Sequence, residues 1–402
     1  MKVILLGAGA SKSYIDSPTK IQMPIAKDFF NAFYQLPIAS NPWVLVGDII
    51  SFLYEYKNFT PLEAINYLTS GVSIEELHSE IGGIRDNYLE QKIFWPEISI
   101  SYKAYNQLLF LFASVLNEIQ NGPISLAHKH IASVLNTDDA IITFNWDTLM
   151  DRALYSLTNW CVDTGYGVNP HYIYRDKWQK AKRKKPKAPI IIKLHGSTNW
   201  LTSHVIIGEK GIEHTHDADP SELNIFECSS KPYHCYQGRY MEGYQSFSYG
   251  YYPPNLNIRG KKAPKGKSIV SLYPKFPWVN EGTGLDEGLI SMPLMIPPVK
   301  NKKYEQFGTL FKSLWMKAED YLFDAEKIII IGYSFPPTDL QSNQLFIQAF
   351  MRRKDIPKVI IIDPFPENIL NKFIFDFGIP LTNITIVKEY FSADMNLASY
   401  GC

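Results

Sequence analysis

With 402 residues, 46% of them apolar, the chain can bury a sizeable core, and its length fits either one elaborated domain or two smaller ones. Its 40 basic and 40 acidic residues cancel, which removes any global electrostatic argument for a nucleic-acid or membrane partner; such a claim needs a local patch. Cys161, Cys228, Cys235 and Cys402 form no C-x-x-C pair, so neither a zinc ribbon nor a disulfide framework is expected.

Met1-Lys2 and the short apolar run behind them lack the h-region and cleavage site of a secretory leader, and a cytoplasmic location is expected. No stretch reaches the roughly 18 apolar residues that a membrane span needs. The run at residues 3–6 stops at Gly7-Ala8-Gly9-Ala10-Ser11 and leads into a helical pattern. Glycine at such a strand-to-helix junction lets backbone N–H groups approach an anion, and the helix N-terminus favours a diphosphate there. The full G-x-G-x-x-G fingerprint is absent, because position 12 is Lys, and a plain β-α turn fits the same residues.

Residues 25–135 read as helices only, among them "NPWVLVGDIISFLYEY" and "SYKAYNQLLFLFASVLNEIQNG", the latter stopped at Asn121-Gly122-Pro123. This helical insertion carries apolar positions in excess of what a lid needs and is read as an oligomerisation surface. A second strand-like run, 140–143, is followed by Phe144-Asn145-Trp146-Asp147 and the helix-like "TLMDRALYSL". An N-cap explains one of its polar residues but not the pair around a Trp. The basic run Lys180 to Lys187 is a solvated loop or a nucleic-acid contact, and nothing nearby resembles a nuclease site.

The third run, 190–194, ends in His195-Gly196-Ser197, and His195 is the best-placed general base among nine histidines. Residues 199–298 then form a Tyr/Gly/Pro-rich insertion of loops and short antiparallel strands. His214, His216 and His234 near Cys228 and Cys235 lack ligand spacing, so no metal is expected. Two further runs, 327–331 and 358–362, end in Gly332-Tyr333-Ser334, with Asp339 beyond, and in Asp363. Gly332 also reads as a plain turn glycine and the aspartates as N-caps, while Asp363 stands where a carboxylate reaches a ribose hydroxyl. Continuous apolar strands alternating with helices predict an α/β fold, a Rossmann-like doubly wound parallel sheet with both insertions built onto it.

In this order, "GAGAS", "FNWD", "LHGS" and "GYS" resemble the nucleotide-binding and catalytic motifs of the sirtuin family. The resemblance covers the scaffold strands over nearly the whole chain and implies a single sirtuin-like domain, residues 1–402, that binds NAD+ and breaks its nicotinamide–ribose bond. By carry-over, Gly7, Ala8, Gly9 and Ser11 hold the diphosphate and its ribose. Asn145 and Asp147 sit at the nicotinamide-ribose end, His195 is the catalytic base, and Gly332, Ser334 and Asp363 line the adenosine side. The four-cysteine zinc module of protein-deacylating sirtuins is missing, and Phe144 stands where their motif has Gln. Both departures resemble the sirtuin-like NAD+ hydrolases of bacterial antiphage defence. That resemblance implies NAD+ as substrate without a metal, and a HerA-type hexameric ATPase as partner; the second copy of the chain rests on the helical insertion. A non-catalytic NAD+ or ADP-ribose sensor and a zinc-less lysine deacylase are the competing functions.

Overall fold

A computed structural model describes residues 1–40, 42–93, 97–175, 178–183, 187–203, 205–208, 211–214, 223–227, 268–270, 289–299, 302, 309–336 and 339–400. Six strands, Lys2–Leu6, Ala140–Thr143, Ile190–Lys193, Lys327–Ile331, Lys358–Ile362 and Ile384–Val387, form one parallel sheet. Numbered along the chain within this sheet, they lie in the order 3-2-1-4-5-6. This is the doubly wound order in which a ligand crevice forms where the winding reverses, between the first and fourth strands. Ile328 to Ile331 are buried without exception, as are Ala140 to Thr143. That burial is the reason these strands read as continuous apolar runs rather than alternating ones.

The helices Leu126–Ser133, Leu149–Leu157, Thr309–Asp324 and Leu340–Met351 contribute Ile131, Leu154, Phe311 and Phe346 to the core around this sheet. The sixth strand, Ile384–Val387, was not expected from the sequence. It is an edge strand with two exposed residues, so it lacks the continuous apolar signature of its neighbours.

The first insertion folds as expected into helices: Phe29–Gln35, Pro42–Lys57, Pro61–Thr69, Ile74–Glu90 and Ser99–Gln120. Thr60 starts the third of these with a reciprocal capping box to Glu63. Most apolar side chains of this unit, including Leu45, Ile49, Leu53, Leu108 and Phe112, pack into a core of its own. The apolar positions that suggested a docking surface are therefore mostly interior, with Tyr54 and Leu62 among the exposed exceptions.

The helix Ser99–Gln120 stops where Asn121-Gly122-Pro123 predicted. Arg152 donates to the carbonyls of Gln120 (3.0 Å) and Gly122 (2.7 Å), satisfying groups that a helix end leaves open. Gln120 Oε1 in turn accepts from Thr148 N at 2.7 Å. The helical unit is thereby fastened to the turn that carries Asn145 and Asp147.

A second, mixed sheet contains Gly196–Ser203, Asn224–Phe226 and Leu289–Met295, together with Tyr172–Tyr174 and Trp178–Lys180, which precede the second insertion. The extreme Tyr-rich stretch, 233–255, lies outside the described residues, as do Cys228, Cys235, His216 and His234. Among the described residues no helix is long and apolar enough to cross a membrane. Lys182, Arg183 and Lys187 of the basic run are exposed.

Two buried histidines on helices make stability pH-dependent. Burial pushes His78, packed on the Tyr105 ring at 4.3 Å, down to about 3, and His128 to about 4. In the unfolded chain both ionise near 6.5. Their contribution is complete above that pH and is lost as pH falls toward 4, because the unfolded state then binds the extra protons. The loss is up to about 1.4 kcal/mol per pH unit for each histidine. Denaturant midpoints at pH 7.5 and pH 5 should differ markedly, and equal midpoints would contradict this account.

Candidate functional site

The register of the main sheet aligns its strand ends. Val387 pairs with Ile362, Ile362 with Ile331, Ile331 with Leu6, Leu6 with Thr143, and Thr143 with Lys193. One line of paired residues thus closes the C-terminal edge, and every candidate site residue lies a few positions beyond it. Gly7, Gly332 and Asp363 follow the line directly, whereas Asn145 and His195 each stand two residues past it.

At the switch point the first and fourth strands continue pairing into their turns. Gly7 N donates to Ile331 O (3.1 Å) and Gly9 N to Gly332 O (2.9 Å). A Cβ at Gly9 would lie 2.7 Å from Gly332 Cα, and one at Gly7 would lie 2.5 Å from Gly332 O. The two glycines of "GAGAS" are therefore explained first by the meeting of two backbone turns. The amides of Gly7 and Gly9 are engaged there, while Ala8 and Gly9 face solvent.

Gly332 itself has φ +61°, and a Cβ there would sit 2.5 Å from Ala10 N. Gly378 has a similar φ of +70° with nothing within 4 Å. Gly332→Ala should therefore destabilise far more than Gly378→Ala, which meets only the ~1–2 kcal/mol of left-handed backbone. Comparing the two unfolding midpoints isolates the steric part, and equal shifts would mean that the turns are not in contact.

Beside this junction three side chains from two motifs are joined. Asn145 Nδ2 donates to Gly7 O (2.7 Å) and to Ser11 Oγ (2.9 Å), and Ser11 Oγ donates to Asp147 Oδ2 (2.5 Å). Both amide protons of Asn145 are engaged, which leaves Oδ1 to accept from a ligand. Asp147 is almost fully buried, and its Oδ1 accepts from Leu149 N at 3.1 Å, which helps start the helix Leu149–Leu157. The N-cap-like role and the association with Asn145 thus coexist in one residue.

Trp146, between them, donates Nε1–H to Ile296 O (2.9 Å) and packs edge-on against Phe112 of the helical unit. Its other neighbour is His195, with ring centroids 5.3 Å apart, and Phe144 meets the same imidazole edge-on at 5.2 Å. His195 is 2% exposed. Burial in this aromatic setting pushes its pKa down to about 4, opposed by the Asp339 carboxylate and assisted by Lys302. At neutral pH the imidazole is uncharged and able to take a proton.

Gly196 sets where His195 stands. Its φ is +78°, and a Cβ would fall 2.2 Å from Leu294 O, so only glycine lets the chain leave the main sheet here and pair with Leu289–Met295. Ser334 is exposed beyond the fourth strand, and Asp363 is half-buried beyond the fifth, its Oδ1 accepting from Phe365 N (2.8 Å). They share the edge, and no hydrogen bond to the Asn145 cluster is seen for either.

Sequence reasoning gave no role to Lys193, which is fully buried. It pairs with Asp151 at 3.1 Å, donates to Ser197 Oγ at 2.9 Å and reaches the Asp147 carbonyl. Asp151 also accepts from Tyr166 at 2.5 Å. This network holds the two motif turns together from below.

An open cavity of about 520 Å³ lies at the opposite edge, near Met1 and Ile190, with Asp138, Asp320 and Asp324 in its lining.

No protein-family model matches the chain, and no curated protein matches its sequence at a significant level. Among solved structures it is similar to a Sir2 bound to an acetylated peptide, at 12% identity and a TM-score of 0.34, covering 100% of this chain and 93% of that one. It is also similar to a mutant Sir2 homologue in complex with ADP ribose, at 14% identity and a TM-score of 0.33, covering 77% and 78%. At such identities and scores, the chain's own strand order and register define its architecture.

Proposed function

We propose that the chain hydrolyses NAD+ to nicotinamide and ADP-ribose at the C-terminal edge of its main sheet. The observation that carries this reading is the register line, which brings "GAGAS", "FNWD", "LHGS" and "GYS" to one edge, at a switch point suited to a dinucleotide. The Ser11–Asn145–Asp147 cluster bridges two of those motifs directly.

The chemistry needs little from the protein. Nicotinamide leaves as a neutral molecule, so no general acid is required. Positive charge develops on the ribose, as in glycoside cleavage. Asn145 Oδ1 accepts from a ribose hydroxyl or from the attacking water. His195 removes a proton from that water or from a ribose hydroxyl. The diphosphate lies over Ala8 and Gly9, and the adenosine reaches toward Ser334 and Asp363.

The resemblance to antiphage sirtuin-like hydrolases supports NAD+ depletion as the biological outcome, with a HerA-type ATPase as partner. The test is nicotinamide release by the purified chain with NAD+, alone, with an acylated peptide and with the candidate ATPase. Release without peptide supports hydrolysis. Release only with peptide means a deacylase, and NAD+ bound but left intact means a sensor.

A further inference from the structure

Asp339 stands where a helix N-cap is expected, directly before Leu340–Met351, yet its side chain makes no capping bond to that helix. It turns toward the site instead. Its Oδ1 is ion-paired with Lys302 and lies 3.6 Å from His195 Nε2, while its Oδ2 accepts from Tyr333 OH at 3.1 Å. Tyr333 stacks on Phe144 at 4.3 Å and 8°, and Phe144 packs edge-on to His195. The carboxylate is 8% exposed. A buried acid held from both oxygens beside a buried imidazole is not explained by helix capping.

We propose that Asp339 is the positioning residue of His195, supplying the negative charge that lets this buried ring accept a proton, and that Lys302 on the same oxygen limits how much of that charge the ring feels. The inference rests on the reading of His195 as the base of NAD+ hydrolysis and gives that base a partner.

When His195 takes a proton from water or a ribose hydroxyl, a cation forms in an apolar pocket. The charge is costly there unless a carboxylate faces it. Among the described residues, the charged groups acting on the ring are Asp339 and Lys302, whereas the "FNWD" turn presents Phe144, Trp146 and a backbone carbonyl. Burial would raise Asp339, but His195 and Lys302 together hold it below its ordinary value, so it is ionised at neutral pH. The two neighbours therefore act on His195 with opposite sign. A purely structural carboxylate would share that opposition but would leave kcat unchanged when neutralised, so the loss of kcat marks the positioning role.

The test uses the full-length chain with labelled histidine, in which His195 is titrated by NMR and nicotinamide release is followed across pH. Lys302→Met should move the His195 titration, and the acid limb of kcat/KM, to higher pH by about one unit. Asp339→Asn keeps the shape and the Tyr333 contact. It should hold the ring neutral to lower pH while reducing kcat at least about tenfold, with KM little changed. If both variants leave the titration where it is, or move it in the same direction, the inference is overturned. The titration needs no substrate. Opposite shifts in a chain that releases no nicotinamide, either alone or with the candidate ATPase, would sustain the pairing and overturn the hydrolase reading, whereas active enzyme with unmoved titrations would do the reverse.

Discussion

Replacing Asn145 by Ala, or His195 by Gln, is expected to lower nicotinamide release from NAD+ at least about 100-fold while the chain stays folded. The two losses have different physical origins. Asn145→Ala removes the acceptor Oδ1 and the bridge from Gly7 to Ser11. That change costs about 1 kcal/mol of stability from lost hydrogen bonds and affects substrate orientation. His195→Gln keeps a polar side chain in the pocket but removes the base, so it should act on kcat more than on KM. Circular dichroism and unfolding midpoints provide the control. Wild-type turnover by both variants would refute the assignment, whichever partner is present.

Five of the six central strands were legible because a strand covered on both faces has to be apolar at each position, and runs such as "KIIII" leave little else to be. The edge strand "ITIV" escaped because half of it faces solvent. The candidate site was legible to the extent that it follows strand ends: Asn145, Asp147, His195 and Gly332 all lie on turns that the register aligns. What the sequence could not reveal is how polar residues share partners. Asp339 reads as an N-cap by position, and only the path of the chain after the fourth strand turns it to His195. Gly7 and Gly9 read as a phosphate turn, yet the backbone of Gly332 accounts for them sterically.

Lys193 and Asp151 are the clearest case of a function hidden by local reading, and they define the second large effect. Alone, each is an ordinary charge, at the end of a strand and in the first turn of a helix. Together they are a fully buried ion pair, and the apolar residues around each of them carried the available signal. Asp151→Ala should destabilise the chain by about 3–5 kcal/mol, because it leaves the Lys193 ammonium without its counter-charge in the interior. Tyr166, whose ring packs edge-on between Trp160 and Trp200, would lose the acceptor of its hydroxyl as well. Lys193→Met should be milder, since burial already raises Asp151 and the lone carboxyl can protonate. The double variant Asp151→Asn with Lys193→Met should therefore recover much of the stability lost in Asp151→Ala, as replaced buried pairs do. Activity should not recover with it. Lys193 also holds the Asp147 carbonyl and Ser197, so a refolded double variant still lacks the tie between the two motif turns. Guanidinium midpoints and nicotinamide release on the same four proteins separate these outcomes. Full activity in the stable double variant would mean that the pair supports the fold alone.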